Sequence, residues 1–127
     1  MSLPRILIPH PIHQDGIDRL AGHFTVDAPA KFDDARKRES FAAADAVIVR
    51  NLGVDAALVD ASPRLRVIAK HGAGVDNIDI RAATERGIVV ASVPGGNADA
   101  VAEAAVTMML AAIRQVPKVH NLVASGN

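Results

Sequence analysis

Short apolar runs recur along the first part of the chain, separated by stretches that carry most of the charged side chains. The runs predict five strands, at Arg5–Ile8, Thr25–Val26, Ala46–Val49, Val67–Ala69 and Ile88–Ala91. The stretches between them predict four helices, at Asp15–Ala21, Asp33–Ala44, Asp55–Asp60 and Asp79–Arg86. Strands that are apolar throughout and alternate with helices indicate a parallel sheet covered on both faces. The predicted fold class is therefore a doubly wound α/β domain.

A different pattern follows a Pro-Gly-Gly break. Asn97 or Asp99 can cap a helix that we expect to run to about Val116, where a proline follows. The central segment of this helix, Val101–Ile113, has only two polar side chains. A helix that is apolar nearly all round must be buried nearly all round, so we expect another domain or another copy of the chain to cover it. The tail from His120 onward carries no strong signal.

Composition and charge exclude several classes of protein. Lys plus Arg and Asp plus Glu both number 14, so the formal net charge is zero, which argues against a nucleic-acid partner and a polybasic membrane binder. The absence of cysteine excludes disulfides and thiolate metal sites. No histidine pair has metal-ligand spacing on a predicted helix, so we expect no metal site. With no leader and no apolar run of roughly 18 residues, we expect a cytoplasmic protein with no membrane partner.

Gly72–Ala73–Gly74 follows the fourth predicted strand. Two glycines around one small residue expose backbone N–H groups at the carboxyl end of a strand, where a carboxylate or phosphate can bind. A tight turn that needs positive φ explains the same residues, and composition alone favours that interpretation. The stretch reads G-x-G-x-x-N, without the third glycine and without a helix directly after it. We therefore reject it as a pyrophosphate-binding loop.

Arg50 and Asn51 follow the third predicted strand. A guanidinium at that position can pair a carboxylate in bidentate fashion, although a solvated charge is the simpler interpretation of an isolated arginine. Position strengthens the hypothesis, because Arg50 and the glycines would share the carboxyl edge of the sheet, where ligands bind in open α/β folds. Lys70 and His71, beside the glycines, are interpreted as structural residues.

Several segments resemble, in their order and spacing, the N-terminal part of the D-isomer-specific 2-hydroxyacid dehydrogenases, and most of all the phosphoglycerate dehydrogenase-like branch. These segments are Val49–Asn51, Lys70–Asp79, Ala82–Ile88, and Pro94–Asn97 leading to Val101–Glu103. The resemblance covers essentially the whole chain.

The resemblance implies a flavodoxin-like substrate-binding domain over residues 1–96. Residues 97–127 would form the connecting helix and the start of a Rossmann domain that binds NAD or NADP. In this family the NAD fingerprint and the catalytic Arg, Glu and His come later than the position of Asn127, so we expect no catalytic residue in this chain and no activity from it alone. The implied enzyme interconverts a small D-2-hydroxy acid and its 2-keto acid, and we expect a homodimer.

The resemblance also assigns substrate-binding residues. Arg50 and Asn51 would lie in the substrate cleft, and the family more often has serine at the second of these positions. Gly72, Ala73 and Gly74 would form the loop whose amides, those of Ala73 and Gly74, hold the substrate carboxylate.

Further residues would serve the cofactor and the junction between domains. The resemblance places Ala73 and Val101 close to the nicotinamide end of NAD. It places Asn97 at the hinge, and it starts the helix that crosses to the NAD domain at Glu103.

Two other classes of protein were compared with this hypothesis. A stand-alone module would bind a small carboxylate without turnover and dimerise through Val101–Ile113, and the coding sequence past Asn127 distinguishes it from an enzyme.

A two-component receiver has the same alternation of strands and helices. It needs an acidic pair after the first strand, where Pro9–His10 stands, and a phosphorylatable Asp at the position of Arg50. The receiver is therefore excluded.

Overall fold

The computed structural model describes residues 2–126, and the chain divides between Pro94 and Gly95 into two compact units. The elements of the first unit are β1 (Arg5–Leu7), α1 (Gln14–Leu20), β2 (Thr25–Asp27), α2 (Lys37–Ala42), β3 (Ala46–Val49), α3 (Ala56–Asp60), β4 (Val67–Lys70), α4 (Ile80–Glu85) and β5 (Val89–Ala91). The second unit consists of α5 (Ala98–Ile113) and α6 (Val116–Ala124). All five predicted strands and all four helices between them are present.

The first unit is built on one parallel sheet with the strand order β2-β1-β3-β4-β5. This is the flavodoxin-like order, and the connections leave β1 and β3 toward opposite edges of the sheet. The doubly wound α/β prediction is confirmed. The order matters for function because β3 and β4 are neighbours, so the loops that follow them begin side by side.

The core consists of aliphatic side chains from the central strands and of residues from the helices and loops packed against them. Its buried members are Leu7, Phe41, Ala44, Val47, Val49, Val54, Leu58, Val59, Leu65, Ile68, Ile78, Ala83 and Ile88. The edge strands differ from the expectation of full burial, because β2 and β5 contain no buried residue. An edge strand has a neighbour on one side only, so part of its surface remains in solvent.

Two aspartates begin helices of the first unit as N-caps. The Asp55 carboxylate accepts a hydrogen bond from the Leu58 amide at 2.8 Å, and the Asp79 carboxylate accepts one from the Ala82 amide at 2.9 Å. Each cap satisfies an amide that the first helical turn leaves unpaired. The sequence-based prediction of Asp79 as a cap is confirmed, and Gly87 follows α4 at a φ of 66°.

The predicted helix Asp33–Ala44 is wrong in its first turn. A 3₁₀ turn, Asp34–Arg36, precedes the α-helix that begins at Lys37. The Asp33 carboxylate accepts a hydrogen bond from the Ala35 amide at 2.9 Å, which caps the 3₁₀ turn instead of a continuous helix. Short acidic side chains compete with helical bonding in this way near helix starts.

The prediction for the end of the chain was wrong in two respects. The long helix ends at Ile113, before Pro117, and a further helix occupies Val116–Ala124. The proline lies in the first turn of that second helix, where a missing N–H costs nothing. Asn97 precedes α5 as its cap residue but forms no side-chain capping bond.

Neither helix of the second unit contains a buried residue. Within residues 2–126 no single helix is long and apolar enough to cross a membrane. The α5–α6 pair meets that length and composition together, with a 61° bend between the two helices.

Candidate functional site

Two loops meet at the carboxyl edge of the sheet in the first unit. The arginine loop (residues 50–54) follows β3, and the glycine loop (residues 71–79) follows β4. The strands are in register at Val49 and Lys70, and the His71 amide donates to the Val49 carbonyl at 2.8 Å. Arg50 and His71 are therefore the first residues after the paired ends of two adjacent strands. The structure brings the predicted Arg50, Asn51 and the glycines to one edge.

The glycine loop exposes a run of unpaired amides. The Gly72 amide donates to the Lys70 carbonyl at 2.9 Å, and the Gly72 carbonyl accepts from the Val93 amide at 3.0 Å. From Ala73 to Asn77, no main-chain N–H donates to any group within residues 2–126. Ala73 and Gly74 are exposed, so their donors are open to an anion from solvent.

The two glycines differ in their backbone requirements. Gly72 has a φ of 147°, which L-residues rarely adopt, so the turn interpretation holds for it. Gly74 has no such φ, and a Cβ added there would approach only the Asp76 carboxylate, at 3.1 Å. Backbone conformation therefore does not account for the second glycine. Its lack of a side chain leaves the neighbouring amides accessible.

Arg50 supplies a positive charge at the same edge of the sheet as these donors. It is exposed, and its guanidinium forms no hydrogen bond or ion pair with any residue in the described part of the chain. An unpaired guanidinium retains all five donors for a planar carboxylate. The site therefore combines one free cation with free backbone donors, a set that suits a small carboxylate.

Lys70 and Asn77 link the two loops, although sequence analysis assigned neither to the site. The Lys70 ammonium donates to the Arg50 carbonyl and, at 2.6 Å, to the Asn77 side-chain oxygen. The Asn77 side-chain amide donates to the Leu52 carbonyl at 2.6 Å. Both residues lie in the resembling segment Lys70–Asp79, but sequence spacing did not indicate that they link the loops, because their partners on the arginine loop are 20 or more positions away.

A cavity of about 530 Å³ lies at the same edge, between the loops that follow β1, β2 and β3. Asn51 lines it with Leu52 and Gly53, and Lys37 donates to the Gly53 carbonyl at 2.7 Å on its wall. None of the three residues Gly72–Gly74 lines this cavity.

The remaining predicted residues belong to the second unit. Asn97 stands at the start of α5, and its carbonyl accepts from the Val101 amide at 2.9 Å. Val101 and Glu103 lie on the first turns of that helix and are exposed.

The glycine loop does not fit the pyrophosphate of a dinucleotide. The next helix begins only at Ile80, so its first turn does not follow the glycines as a pyrophosphate site requires. Within residues 2–126 no group of three or more His, Asp or Glu side chains could hold a metal ion.

Comparison with known proteins defines the class. Residues 6–123 match the family described as D-isomer specific 2-hydroxyacid dehydrogenase, catalytic domain. The chain belongs to this family.

Individual relatives are consistent with that assignment. The D-3-phosphoglycerate dehydrogenase of Archaeoglobus fulgidus is 37% identical over 124 residues, which are 96% of this chain and 24% of that protein. A solved 2-hydroxyacid dehydrogenase from Ketogulonicigenium vulgare has a TM-score of 0.81 and 33% identity, over 99% of this chain and 41% of that one. The NAD⁺-bound 3-phosphoglycerate dehydrogenase of Entamoeba histolytica has a TM-score of 0.73 and 31% identity, over 87% of this chain and 39% of that one. The chain thus spans about a quarter to two fifths of the length of these relatives.

Proposed function

We propose that this chain is the substrate domain of an NAD- or NADP-dependent oxidoreductase that interconverts a D-2-hydroxy acid and its 2-keto acid, in the manner of phosphoglycerate dehydrogenase. The observation that carries the proposal is that the Arg50 guanidinium and the amides of Ala73 and Gly74, on loops that follow adjacent strands, have no partner within residues 2–126. Family membership supports the reaction class, and relatives named as phosphoglycerate dehydrogenases support the branch.

In this proposal the chain binds and orients the acid. The amides of Ala73 and Gly74 hold the carboxylate, Arg50 and Asn51 contact the substrate in the cleft, and Gly72 shapes the loop through its positive φ. In oxidation, the acid loses a hydride from C2 and a proton from its hydroxyl, which leaves the 2-keto acid. When bound, a nicotinamide would supply the chemistry that accepts this hydride, while the residues of this chain hold the acid. Exclusion of water around the charged acid would strengthen each of these contacts.

The cofactor contacts of this chain are limited in our proposal. Ala73 and Val101 would lie close to the nicotinamide, Asn97 would act as the hinge, and Glu103 would belong to the crossing helix. The groups that bind the rest of the dinucleotide and transfer the proton would lie outside these 127 residues. We therefore expect the purified chain to reduce no NAD with any 2-hydroxy acid, and clear turnover would contradict this part of the proposal.

Binding of oxalate, which resembles a small 2-keto acid, tests the site directly. In a ¹⁵N-labelled chain, we expect oxalate to shift the amide resonances of Ala73 and Gly74. Arg50→Gln should weaken binding by about tenfold or more, because a charge-assisted hydrogen bond is lost from the site. Arg38→Gln is the matched control, since Arg38 is an exposed arginine on α2.

Two results would contradict the assignment of the site. One is an absence of shifts at Ala73 and Gly74. The other is an equal loss of affinity in the Arg50 and Arg38 variants, which would indicate general charge attraction.

A second candidate function is a stand-alone module that binds a small carboxylate and dimerises without catalysis. The exposed apolar side chains of Val101–Ile113 favour it, because such side chains mark association surfaces. Homodimerisation through this segment is compatible with either function. The coding sequence past Asn127 separates the two, since a downstream G-x-G-x-x-G motif supports the enzyme.

A further inference from the structure

The two loops of the candidate site are joined by side chains as well as by the sheet. Lys70 is the last residue of β4 and is only partly exposed. Its ammonium donates to the Arg50 carbonyl on one loop and to the Asn77 side-chain oxygen on the other. An ammonium has three donors, and two of them are used to connect the loops. Lys70 is therefore occupied within the protein rather than presented to solvent.

Asn77 completes the connection in the opposite direction. The side-chain amide of Asn77 donates to the Leu52 carbonyl at 2.6 Å. The main-chain carbonyl of Asn77 accepts from the Val54 amide at 2.8 Å. The Asp79 amide in turn donates to the Val54 carbonyl at 2.8 Å. Because the side-chain oxygen accepts from Lys70 and the nitrogen donates to Leu52, the orientation of the Asn77 amide group is fixed by its partners.

Together these contacts form a clamp, defined as Lys70 and Asn77 with the carbonyls of Arg50 and Leu52. The clamp holds the first half of the arginine loop, where the sheet ladder has already ended. It also fixes the far side of the segment 73–76, whose own amides have no partner within residues 2–126. Without the clamp, the two segments would be held only near their ends, by the main-chain bonds of Val54 with Asn77 and Asp79, by the bond from Val93 to Gly72, and by the bond from Lys37 to Gly53.

We propose that Lys70 and Asn77 are positioning residues that hold Arg50 and the Ala73–Gly74 amides at a fixed separation before the acid arrives. This inference rests on the proposed function. A preorganised site loses less conformational freedom on binding than two mobile loops, and that difference is expressed as affinity. Lys70 and Asn77 do not touch the acid in this proposal. They act through Arg50 and the glycine loop.

The test replaces Lys70 with methionine, which retains most of the stem and removes the donors. We expect Lys70→Met to weaken oxalate binding by about tenfold, and Lys70→Arg to restore most of the loss because a guanidinium can also donate to two acceptors. Lys37→Met is the matched control. Lys37 also donates to a carbonyl of the arginine loop, that of Gly53, but it has no bond to the glycine loop.

Backbone ¹⁵N relaxation in the ligand-free chain provides a readout that does not depend on oxalate. We expect Lys70→Met to increase motion at both Leu52 and Gly74, and Lys37→Met to increase it only near Gly53. A second variant, Asn77→Asp, keeps the acceptor for Lys70 but replaces the donor to Leu52 with an oxygen. Asn77→Asp should increase motion in the arginine loop and weaken oxalate binding. It provides the test of the proposal if Lys70→Met does not fold.

The outcomes separate the two proposals. If the unaltered chain binds no oxalate, the proposed function fails, and the relaxation data still show whether the clamp orders the loops. If the chain binds oxalate but Lys70→Met and Asn77→Asp bind it equally well, the clamp does not position the site. Equal losses of affinity in the Lys70 and Lys37 variants, in proportion to lost thermal stability, would also overturn the inference.

Discussion

Gly72 and Gly74 stand two positions apart in the same loop, yet only one of them has a backbone conformation that favours glycine. Gly72 has a φ of 147°, where a side chain strains the backbone. Gly74 has an ordinary φ, and the only close neighbour of an added Cβ would be the mobile end of Asp76, at 3.1 Å. Gly72 therefore serves the conformation of the turn, and we propose that Gly74 serves access to the amides.

Alanine substitutions at these two positions should separate the roles. We expect Gly72→Ala to lower the free energy of unfolding by about 1 to 3 kcal/mol, the usual cost of a strained backbone conformation. Gly74→Ala should change it by less than about 0.5 kcal/mol and act mainly on oxalate binding. Urea unfolding of both variants measures these two changes in the free energy of unfolding. A larger destabilisation at Gly74 than at Gly72 would contradict this division of roles.

Asp45 directly precedes β3, at the amino ends of the strands, and provides a pH-dependent contribution to stability. The Arg5 amide donates to its carboxylate at 2.8 Å, and the Arg64 guanidinium donates to both of its oxygens at 3.0 and 2.9 Å. The hydrogen bond from the Arg5 backbone, and then the bonds and charge of Arg64, lower the pKa of Asp45 below its ordinary value of 3.8, against partial burial.

A lowered pKa in the folded state means that this stabilisation is complete above the unfolded-state pKa and is lost as pH falls through the folded-state pKa. We expect Asp45→Asn to lower the free energy of unfolding by about 1 to 2 kcal/mol at pH 7 and at pH 5. The difference from the unaltered chain should shrink at pH 3 and below. Urea unfolding across this range is the measurement, with the exposed Asp18→Asn as the control, and a difference that grows toward low pH would refute the assignment.

The position of a residue in the fold could be predicted from sequence where a local motif indicates it. The structure places Arg50 and the Gly72–Gly74 segment at the carboxyl edge of the sheet, as predicted, because a strand end followed by a charge or by paired glycines is visible in the sequence. Their roles in binding remain predictions. Lys70 was interpreted as merely structural, since a single lysine beside glycines has no signature. Its partner carbonyl at Arg50 is 20 residues away, and only the pairing of β3 with β4 brings the two together.

At the scale of elements, the apolar runs were sufficient to predict all five strands. For the central strands the reason is that a buried parallel strand needs side chains that are apolar on both faces, whereas the edge strands β2 and β5 kept short apolar runs without being buried. The boundary between α5 and α6 could not be found in the same way. Proline usually ends a helix, but it is equally compatible with the first turn of a new one. The signal that distinguishes these cases is the left-handed conformation of Gln115, at a φ of 52°, which the sequence does not indicate.

This junction leads to a prediction about Gln115. A side chain in the left-handed region costs about 1 kcal/mol relative to glycine, so Gln115→Gly should stabilise the junction by roughly 0.5 to 1 kcal/mol. Arg114, the preceding residue, has right-handed helical geometry, and Arg114→Gly should destabilise by a similar amount. Amide hydrogen exchange in Val116–Ala124 would measure both effects. Equal destabilisation by the two glycines would mean that the left-handed junction is not populated in solution.

At the scale of the whole molecule, the distribution of apolar surface differs between the two units. The first unit buries its aliphatic residues around the sheet, whereas the second leaves large apolar side chains in solvent. Met109 is 63% exposed and Ile113 is 74% exposed. A surface of this kind indicates association, and the sequence alone already predicted that the helix needs a cover.

Self-association through α5 can be tested at Met109, near the middle of the proposed dimer segment Val101–Ile113. We expect Met109→Glu to convert a dimer into a monomer, because the interface would have to bury an unpaired carboxylate. Met109→Leu, which keeps an apolar side chain of similar size, should leave the mass in solution unchanged. Sedimentation equilibrium over a range of concentrations measures both variants. If the unaltered chain is a dimer and Met109→Glu remains one, the contact between copies lies elsewhere, and the exposed face of α5 must be covered by a different partner.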